Sequence, residues 1–544
     1  MQVDGLDTTV INYIDEIKAN FEQQIKEIQA NYEHQINKLK SDILDYQNKY
    51  LEIKEQYDLL VYKRFARSAE QLLADEQQRL LFTEETEQEL GPAESINAEA
   101  VTEVKSFTRK KGGRKPLSPN LERKEKVIDI PESEKTCACG AILTRIGEET
   151  GEKLIIIPPQ IYVEKTIRPK YACRACEGTE DEDKPSVRIA PVEPSIIPKS
   201  IASPSLLSTI ITQKFEIHLP YYRQEKQFEQ IGADISRQDM SNWQQQVYKK
   251  LSPLFALLKG TVKSGSVMQM DETTVQVIGE EGRDDVQKSR MWLARGGPPG
   301  KTVTWYEYHP TRAAYHAKAF LEGFSGYLQT DGYNGYDAAV KDMPGIIPVG
   351  CFAHARRKFF EAAKINKKPQ SAEEGIEYIR KLYEIEDELR KEKTDQKKTD
   401  EQFLIERKAK ASVILAEFRP WLEKRKHELP PSTLLGEAVG YTLRQWDKLV
   451  TYLESPYLTP DNNACENAIR PFVVGRKNWL FCQSPEGADS SCGMYTLIET
   501  AKQHGLVPFK YLMALFEKVP HVIYDDASAP GDWEKLLPWN IFTP

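Results

Sequence analysis

The sequence predicts a multidomain α+β chain with an α/β catalytic domain, and three observations carry that prediction. Apolar side chains recur at helical spacing through the first 60 residues, two close cysteine pairs follow, and at Ser266 the apolar period changes from 3.6 residues to 2. At 544 residues the chain exceeds a single core, so several domains of about 100–200 residues are expected. A net charge of −8 excludes a uniformly basic coat for nucleic acid but leaves room for local basic patches. The opening residues lack the basic and apolar regions of a signal peptide, and no window approaches the ~18 apolar residues of a membrane span. A cytoplasmic location without membrane contact is the expectation. Eight cysteines are too few for a disulfide scaffold in a chain of this size, and the clustering of four of them points to metal.

Residues 1–90 are read as a coiled-coil and helical oligomerisation region. The apolar positions Ile14, Ile17, Phe21, Ile25, Ile28, Tyr32 and Ile36 step by 3, 4, 4, and Leu39, Ile43, Tyr46, Tyr50, Ile53, Tyr57 and Leu60 alternate 3 and 4. Such a narrow seam, with Glu, Lys and Gln elsewhere, predicts self-association into a homodimer or larger assembly. A second helical segment is expected from Tyr62 to Glu89. Residues 91–130 combine an acidic linker with a basic arm, Arg109, Lys110, Lys111, Arg114 and Lys115, suited to DNA phosphates or a narrow minor groove. Residues 131–185 are read as a zinc ribbon. Cys137 and Cys139 form one knuckle and Cys173 and Cys176 the other, four thiolates suited to one structural zinc ion, with strands expected at Leu154–Ile157 and Ile161–Val163.

Residues 186–262 form a proline-studded entry followed by helices. A turn at Ile231–Ile235 precedes the polar-fronted helix from Ser236, an arrangement like a DNA-binding helix-turn-helix and equally compatible with ordinary helix packing. From 263 to 370 the pattern gives strands at Val267–Ile278, Ser289–Ala294 and Thr302–Tyr308, a helix from Thr311, a strand at Gly326–Thr330, a helix, a strand at Ile346–Cys351, and a helix from Ala353. That order is the order of a ribonuclease-H-like fold. In it the first and fourth strands are neighbours, so Asp271 and Asp331 would meet. Glu272 would face the other side of the sheet. A third carboxylate completes a site for two Mg²⁺ (or Mn²⁺) ions about 3.5–4 Å apart, which drive in-line phosphoryl transfer.

The third carboxylate is sought in Asp461–Phe481, where acid, base and aromatic crowd together. Asp461, Asn462 and Asn463 are expected to cap a short helix and Gly475 to end it. Glu466 and Arg470, four apart, would share a face; Arg476, Lys477 and Trp479 would follow the helix. Glu466 is the expected third ligand, with Arg476, Lys477 and Trp479 turned toward DNA and Arg470 either contacting DNA or holding the Glu466 carboxylate in place. His354, Arg356, Arg357 and Lys358, at the start of a basic helix, are expected to meet phosphates. Residues 371–455 are read as a helical insertion, 456–505 as the second part of the catalytic core, and 506–544 as a C-terminal element.

Several stretches taken in order resemble the IS66-family transposases of bacterial insertion sequences. They are Met268-Gln-Met-Asp-Glu-Thr-Thr-Val, Leu328-Gln-Thr-Asp-Gly-Tyr-Asn-Gly-Tyr-Asp337, Gly350-Cys-Phe-Ala-His-Ala-Arg-Arg-Lys-Phe and the stretch around Glu466; Gly113-Arg-Lys-Pro116, Leu219-Pro-Tyr-Tyr-Arg-Gln-Glu and Leu536-Leu-Pro-Trp-Asn540 fit as well. The resemblance implies a DDE transposase using Asp271, Asp331 and Glu466, a zinc-binding domain, a dimerising zipper and accessory proteins of the same element. It further implies cleavage at terminal inverted repeats and joining to target DNA. Two other readings fit the same features: a zinc-ribbon, coiled-coil DNA-binding regulator with a vestigial site, and a nuclease of the same fold that cuts without joining.

Overall fold

The computed structural model describes residues 8–65, 124, 161–172, 187–365, 370–524 and 530–542. The basic arm and the cysteines at 137, 139, 173 and 176 lie outside these residues, as does the strand expected at 154–157. The chain divides into two units, 84–169 and the remainder. Of the first, residues 161–169 have no regular structure, so the strand expected at Ile161–Val163 is absent. Val163 is 92% exposed, with nothing packed on it to hold a pleat.

In the larger unit, α1 (Thr8–Phe65) is one uninterrupted helix of 58 residues. All fourteen seam residues are at least 40% exposed, so the apolar stripe remains uncovered within one chain. A short antiparallel pair follows, β1 (Lys170–Ala172) with β2 (Val187–Ile189). Four helices come next: α2 (Pro204–Phe215), α3 (Tyr221–Gln230), α4 (Arg237–Lys250) and α5 (Ser252–Lys263). Ser203 and Ser236 cap α2 and α4 by accepting amide hydrogen bonds from Leu206 and Asp239. Gly232, at φ +83°, makes the turn between α3 and α4. One face of α4 is buried through Met240, Trp243, Gln244 and Val247, and Arg237, Gln238 and Asn242 stay exposed.

The central sheet has the order β5-β4-β3-β6-β7. The strands β3 (Val267–Val277), β4 (Lys288–Gly296) and β5 (Val303–His309) form an antiparallel meander. The chain then runs through α6 (Ala314–Leu321), β6 (Gly326–Gln329), α7 (Asn334–Val340), β7 (Ile346–Val349) and α8 (Phe352–Ile365). β6 lies parallel to both β3 and β7. The first and fourth strands of this region are thus neighbours.

A helical insertion follows: α9 (Gln370–Asp395), α10 (Asp400–Glu428), α11 (Leu434–Arg444), α12 (Trp446–Val450) and a 3₁₀ turn, Thr451–Glu454. It buries its own apolar cluster, including Ile379, Leu382, Phe418, Leu422 and Trp446, against Phe352 and Phe359 of α8. The chain returns to the sheet as α13 (Asn463–Trp479) and β8 (Phe481–Cys482), which pairs with the far end of β3. It closes with α14 (Pro485–Gln503), α15 (Pro508–Tyr524) and α16 (Pro530–Glu534). Residues of α2–α5, the sheet, and α13–α15 share one hydrophobic cluster, so the segments read as 186–262 and 506–544 pack into the core that holds the sheet. Thr496 and Thr500 of α14 accept hydrogen bonds from the amides of Tyr306 and Thr304, which covers β5, the edge strand.

Gly475 does not end its helix. α13 runs on to Trp479, because a Cβ at 475 would stand 2.4 Å from Tyr495 Oη and the glycine serves close packing. Arg476 and Trp479 are therefore helical residues.

The insertion is fastened to the segment before α13 by a buried cation. Arg407 of α10, fully buried, donates to the carbonyls of Tyr452, Ser455 and Leu458 and to the Glu386 carboxylate. Glu386 also accepts from Arg390, which donates in turn to the Leu458 carbonyl. Removing Glu386 leaves the buried Arg407 cation without its counter-charge, and removing Arg407 leaves three buried carbonyls short of a donor, each at a cost of up to about 3–5 kcal/mol. Glu386→Ala and Arg407→Met should each lower the urea denaturation midpoint accordingly, whereas Arg380→Ala, which breaks an exposed pair with Glu377 on α9, should change stability by no more than about 1 kcal/mol.

Candidate active site

Register, more than proximity in sequence, assembles the site. Gln269 of β3 pairs with Gln329, the last residue of β6, in parallel, and each chain meets its aspartate two residues later, Asp271 within β3 and Asp331 just past the end of β6. The two amides touch, Gln269 Nε2 donating to Gln329 Oε1 at 2.9 Å in a buried contact. Gln329 Nε2 donates onward to the carbonyls of Gly350 and Thr459. The Gln pair thus links both acid-bearing strands to the end of β7 and to the segment leading into α13.

Asn462 completes that attachment. Its side-chain amide donates to the carbonyl of Met270, the residue before Asp271, and its backbone amide donates to Cys351 Sγ. It stands at the N-cap of α13 but makes no side-chain cap bond, so the capping role expected of it gives way to a cross-link between helix and strand. Asp461 reaches forward in its place and accepts from the backbone amide of Asn463, the first residue of α13. One turn into α13, Glu466 is buried, and its Oε1 has no hydrogen bond.

Burial and the crowding of Glu272, Asp331 and Glu466 push the Asp271 carboxyl well above the ordinary range. Asp271 accepts from the Glu272 amide, and Asp331 from the Tyr333 amide. Glu272 is engaged elsewhere, by Arg312 and by the Tyr336 hydroxyl, as alternation along the strand requires. Its carboxyl is raised by burial, against the opposing effect of Arg312.

Three neighbouring acids, one forced upward and one with an orphaned buried oxygen, fit a cation that would neutralise them. Among the described residues the trio of potential ligands lying within 4.8 Å of one another is Cys351, His354 and Glu466. His354 Nε2 stands 3.0 Å from Glu466 Oε1. Cys351 is spent structurally: burial pushes its thiol well above its usual range, and its sulfur accepts from Asn462. The acids do not form such a tight trio with each other. A two-ion site spreads its ligands more widely than a single ion does.

The basic residues part company. Arg357 approaches His354, its Nη1 3.3 Å from Nδ1, and Lys358 pairs with Glu437 of α11 at 2.6 Å. Arg356 is half-buried on the same helix. Arg476 donates to Thr273 and Thr274 of β3 and so anchors α13, while Trp479 packs edge-on against Phe472. Lys477 is exposed and Arg470 half-buried. The group against the Glu466 carboxylate is His354, and no Arg470–Glu466 pair forms among the described residues.

Sequence comparison now names the family. A family model described as "Transposase IS66 family" matches residues 199–490. The chain belongs to the IS66 transposase family. Further models match residues 134–177 ("zinc-finger binding domain of transposase IS66"), 52–125 ("Transposase C of IS166 homeodomain") and 496–539 ("IS66 C-terminal element"). The zinc-finger match contains Cys137, Cys139, Cys173 and Cys176. Among similar proteins, the uncharacterised y4hP of Sinorhizobium fredii is 31% identical over 80% of this chain and 78% of its own. In the same organism, y4jD is 29% identical over 78% and 81%, and y4qI 31% over 79% and 77%. The IS66 match spans all three acids and the insertion between the second and third.

Raised carboxyl protonation gives the site a pH signature. Folded Asp271 holds its proton more tightly than it does in the unfolded chain, so its contribution is full below the unfolded value of about 3.9 and is lost as pH rises through the folded one. In EDTA at neutral pH, Asp271→Asn should therefore melt above the wild type, by about 2–4 °C for each kcal/mol of repulsion relieved. The gap should close on acidification to the ordinary aspartate range, and Mg²⁺ should raise the melting temperature of the wild type more than that of the variant.

Proposed function

We propose that the chain is a DDE transposase that binds the terminal inverted repeats of its element, cleaves there and joins the freed 3′ hydroxyls to target DNA. The carrying observation is the in-register parallel pairing of β3 with β6, which sets Asp271 beside Asp331 while Asn462 fastens the helix of Glu466 to the same strand. The strand order β5-β4-β3-β6-β7, with its antiparallel meander and two parallel neighbours, supports a ribonuclease-H-like catalytic core.

In this reading Asp271, Asp331 and Glu466 hold two Mg²⁺ or Mn²⁺ ions. Such ions activate the attacking oxygen and stabilise the leaving one. The residues of the chain do the rest. The Gln269–Gln329 pair and Asn462 keep the carboxylates converged, Arg476 anchors α13 to β3, and Lys477, Arg470, Arg356 and Arg357 lie on the two helices that flank the acids, α13 and α8, where a DNA backbone would pass. The basic arm at 109–115 and the exposed face of α4 add DNA contacts away from the chemistry. Cys137, Cys139, Cys173 and Cys176 bind a structural zinc ion. The exposed stripe of α1 pairs with a second copy, and the transposase acts in the cytoplasm with accessory proteins of the same element.

Strand transfer on DNA carrying the element ends tests the reading. Asp271→Asn, Asp331→Asn or Glu466→Gln should each cost several kcal/mol of transition-state stabilisation, a loss of more than about 10²-fold, with end binding retained. Activity surviving any of the three substitutions would remove the triad, and cutting without joining would make the protein a nuclease. Replacing Ile25 and Ile36 together by Glu should move the sedimentation coefficient toward that of the monomer without altering the secondary structure.

A further inference from the structure

The sequence suggested that His354 faces DNA. It points inward. Its Nε2 lies 3.0 Å from Glu466 Oε1, both side chains are largely enclosed, and neither of these two facing atoms is satisfied by an aligned hydrogen bond from any described group. On the other side of the ring, Arg357 Nη1 approaches Nδ1 at 3.3 Å. A guanidinium has donors only, so the Nδ1 it approaches offers its lone pair, and the proton of the neutral ring belongs on Nε2, the nitrogen beside the carboxylate.

We infer that His354 is a positioning residue for the metal-binding carboxylate: Arg357 fixes its tautomer, and its Nε2–H, the donor nearest Oε1 of Glu466, turns onto that oxygen when the ions bind, so that the other carboxylate oxygen serves them. This rests on the triad reading above. The arrangement has the form of the outer partners that orient metal ligands, groups whose removal usually weakens metal binding about 10–100-fold. Its frame is rigid. Cys351, one turn earlier, takes the Asn462 amide, and Phe352 N–H donates to the Pro460 carbonyl, so the start of α8 and the start of α13 are locked before either side chain is placed. The carboxylate is held without a permanent charge. A lysine or arginine there would compete with the ions for Glu466, whereas a neutral imidazole donates one hydrogen bond and leaves the negative charge available to metal.

The test is Mn²⁺ binding to the full-length protein, followed by electron paramagnetic resonance and free of any activity assay. His354→Leu should weaken binding about 10–100-fold. His354→Gln, whose amide nitrogen can stand near the Nε2 position, should recover much of that loss. Asp271→Asn should abolish high-affinity binding. Wild-type affinity in His354→Leu alongside loss in Asp271→Asn would overturn the positioning role and leave the triad standing. Binding unaffected by Asp271→Asn would instead remove the triad and this inference with it. Should the leucine variant fail to fold, ¹⁵N-histidine spectra of the wild type still decide, with His354 assigned through the resonance missing from His354→Gln: a protonated Nε2 and bare Nδ1 are expected, and the opposite tautomer overturns the proposal. Zinc content separates the remaining alternative. It should be the same in wild type and His354→Gln, and a zinc ion lost from the variant would make His354 a ligand of that metal and overturn the proposal.

Discussion

Everything around the site answers one constraint: carboxylates that repel one another must be kept together in a place with little water. Asp271 shows the strain most directly, its proton held by burial and by three neighbouring acids. Repulsion of this kind pushes a carboxylate outward unless the backbone that carries it is fixed from several directions. The sheet supplies two of those directions through the β3–β6 pairing, and neutral side chains supply more. Gln269, Gln329 and Asn462 carry no charge, so they can cross-link strands and helix directly beneath the acids without satisfying them. A lysine or arginine in their place would neutralise the site and remove its appetite for a cation.

The same constraint gives the insertion a mechanical role. Between α8 and α13 the chain leaves the sheet, builds a separate apolar cluster and returns through residues 452–462. That return segment contains little regular structure, and its carbonyls would be costly to bury alone. Arg407 takes three of them, Arg390 shares one of those, and Gln329 takes the Thr459 carbonyl from the sheet side. The direction in which α13 starts, and hence the position of Glu466, is set by hydrogen bonds from an arginine more than fifty residues earlier. A buried arginine whose two terminal nitrogens are taken by three carbonyls and one carboxylate, with Nε left unpartnered, is an expensive device, and its use here is consistent with a need for a fixed geometry at the third acid.

Much of this was legible before any coordinates. The apolar period locates β3 to β7 to within a few residues, since a strand with one buried face cannot slip by one position without turning its core outward, whereas the two-residue β8 is too short to show a period. Asp271 and Asp331 follow from the strand order, and the repeated Gln-x-Asp on β3 and β6 was a signal for the Gln pair, because residues two apart on a strand share a face. The direction of long polar side chains was not legible. His354, Arg476 and Trp479 read as surface groups by residue type, and only packing shows that the first meets Glu466, the second anchors to Thr274 and the third lies on Phe472. Gly475 misled for the same reason, as a glycine that ends a helix and one that lets a tyrosine approach look alike until the tyrosine is in place.

The contrast between Glu272 and Glu466 shows how this fold separates acids compensated within the protein from acids left open to a cation. Both are buried glutamates beside Asp271. Glu272 receives a guanidinium and a phenol, so its charge is answered within the protein. Glu466 has an imidazole nitrogen 3.0 Å from one oxygen, without an aligned hydrogen bond, and no arginine or lysine from any described residue, so its charge is left unanswered. In a low-dielectric site that difference decides where an incoming cation goes: toward the carboxylates whose compensation was left incomplete. Which acids stay open to a cation is thus set less by which are buried than by which of them the surrounding side chains decline to neutralise.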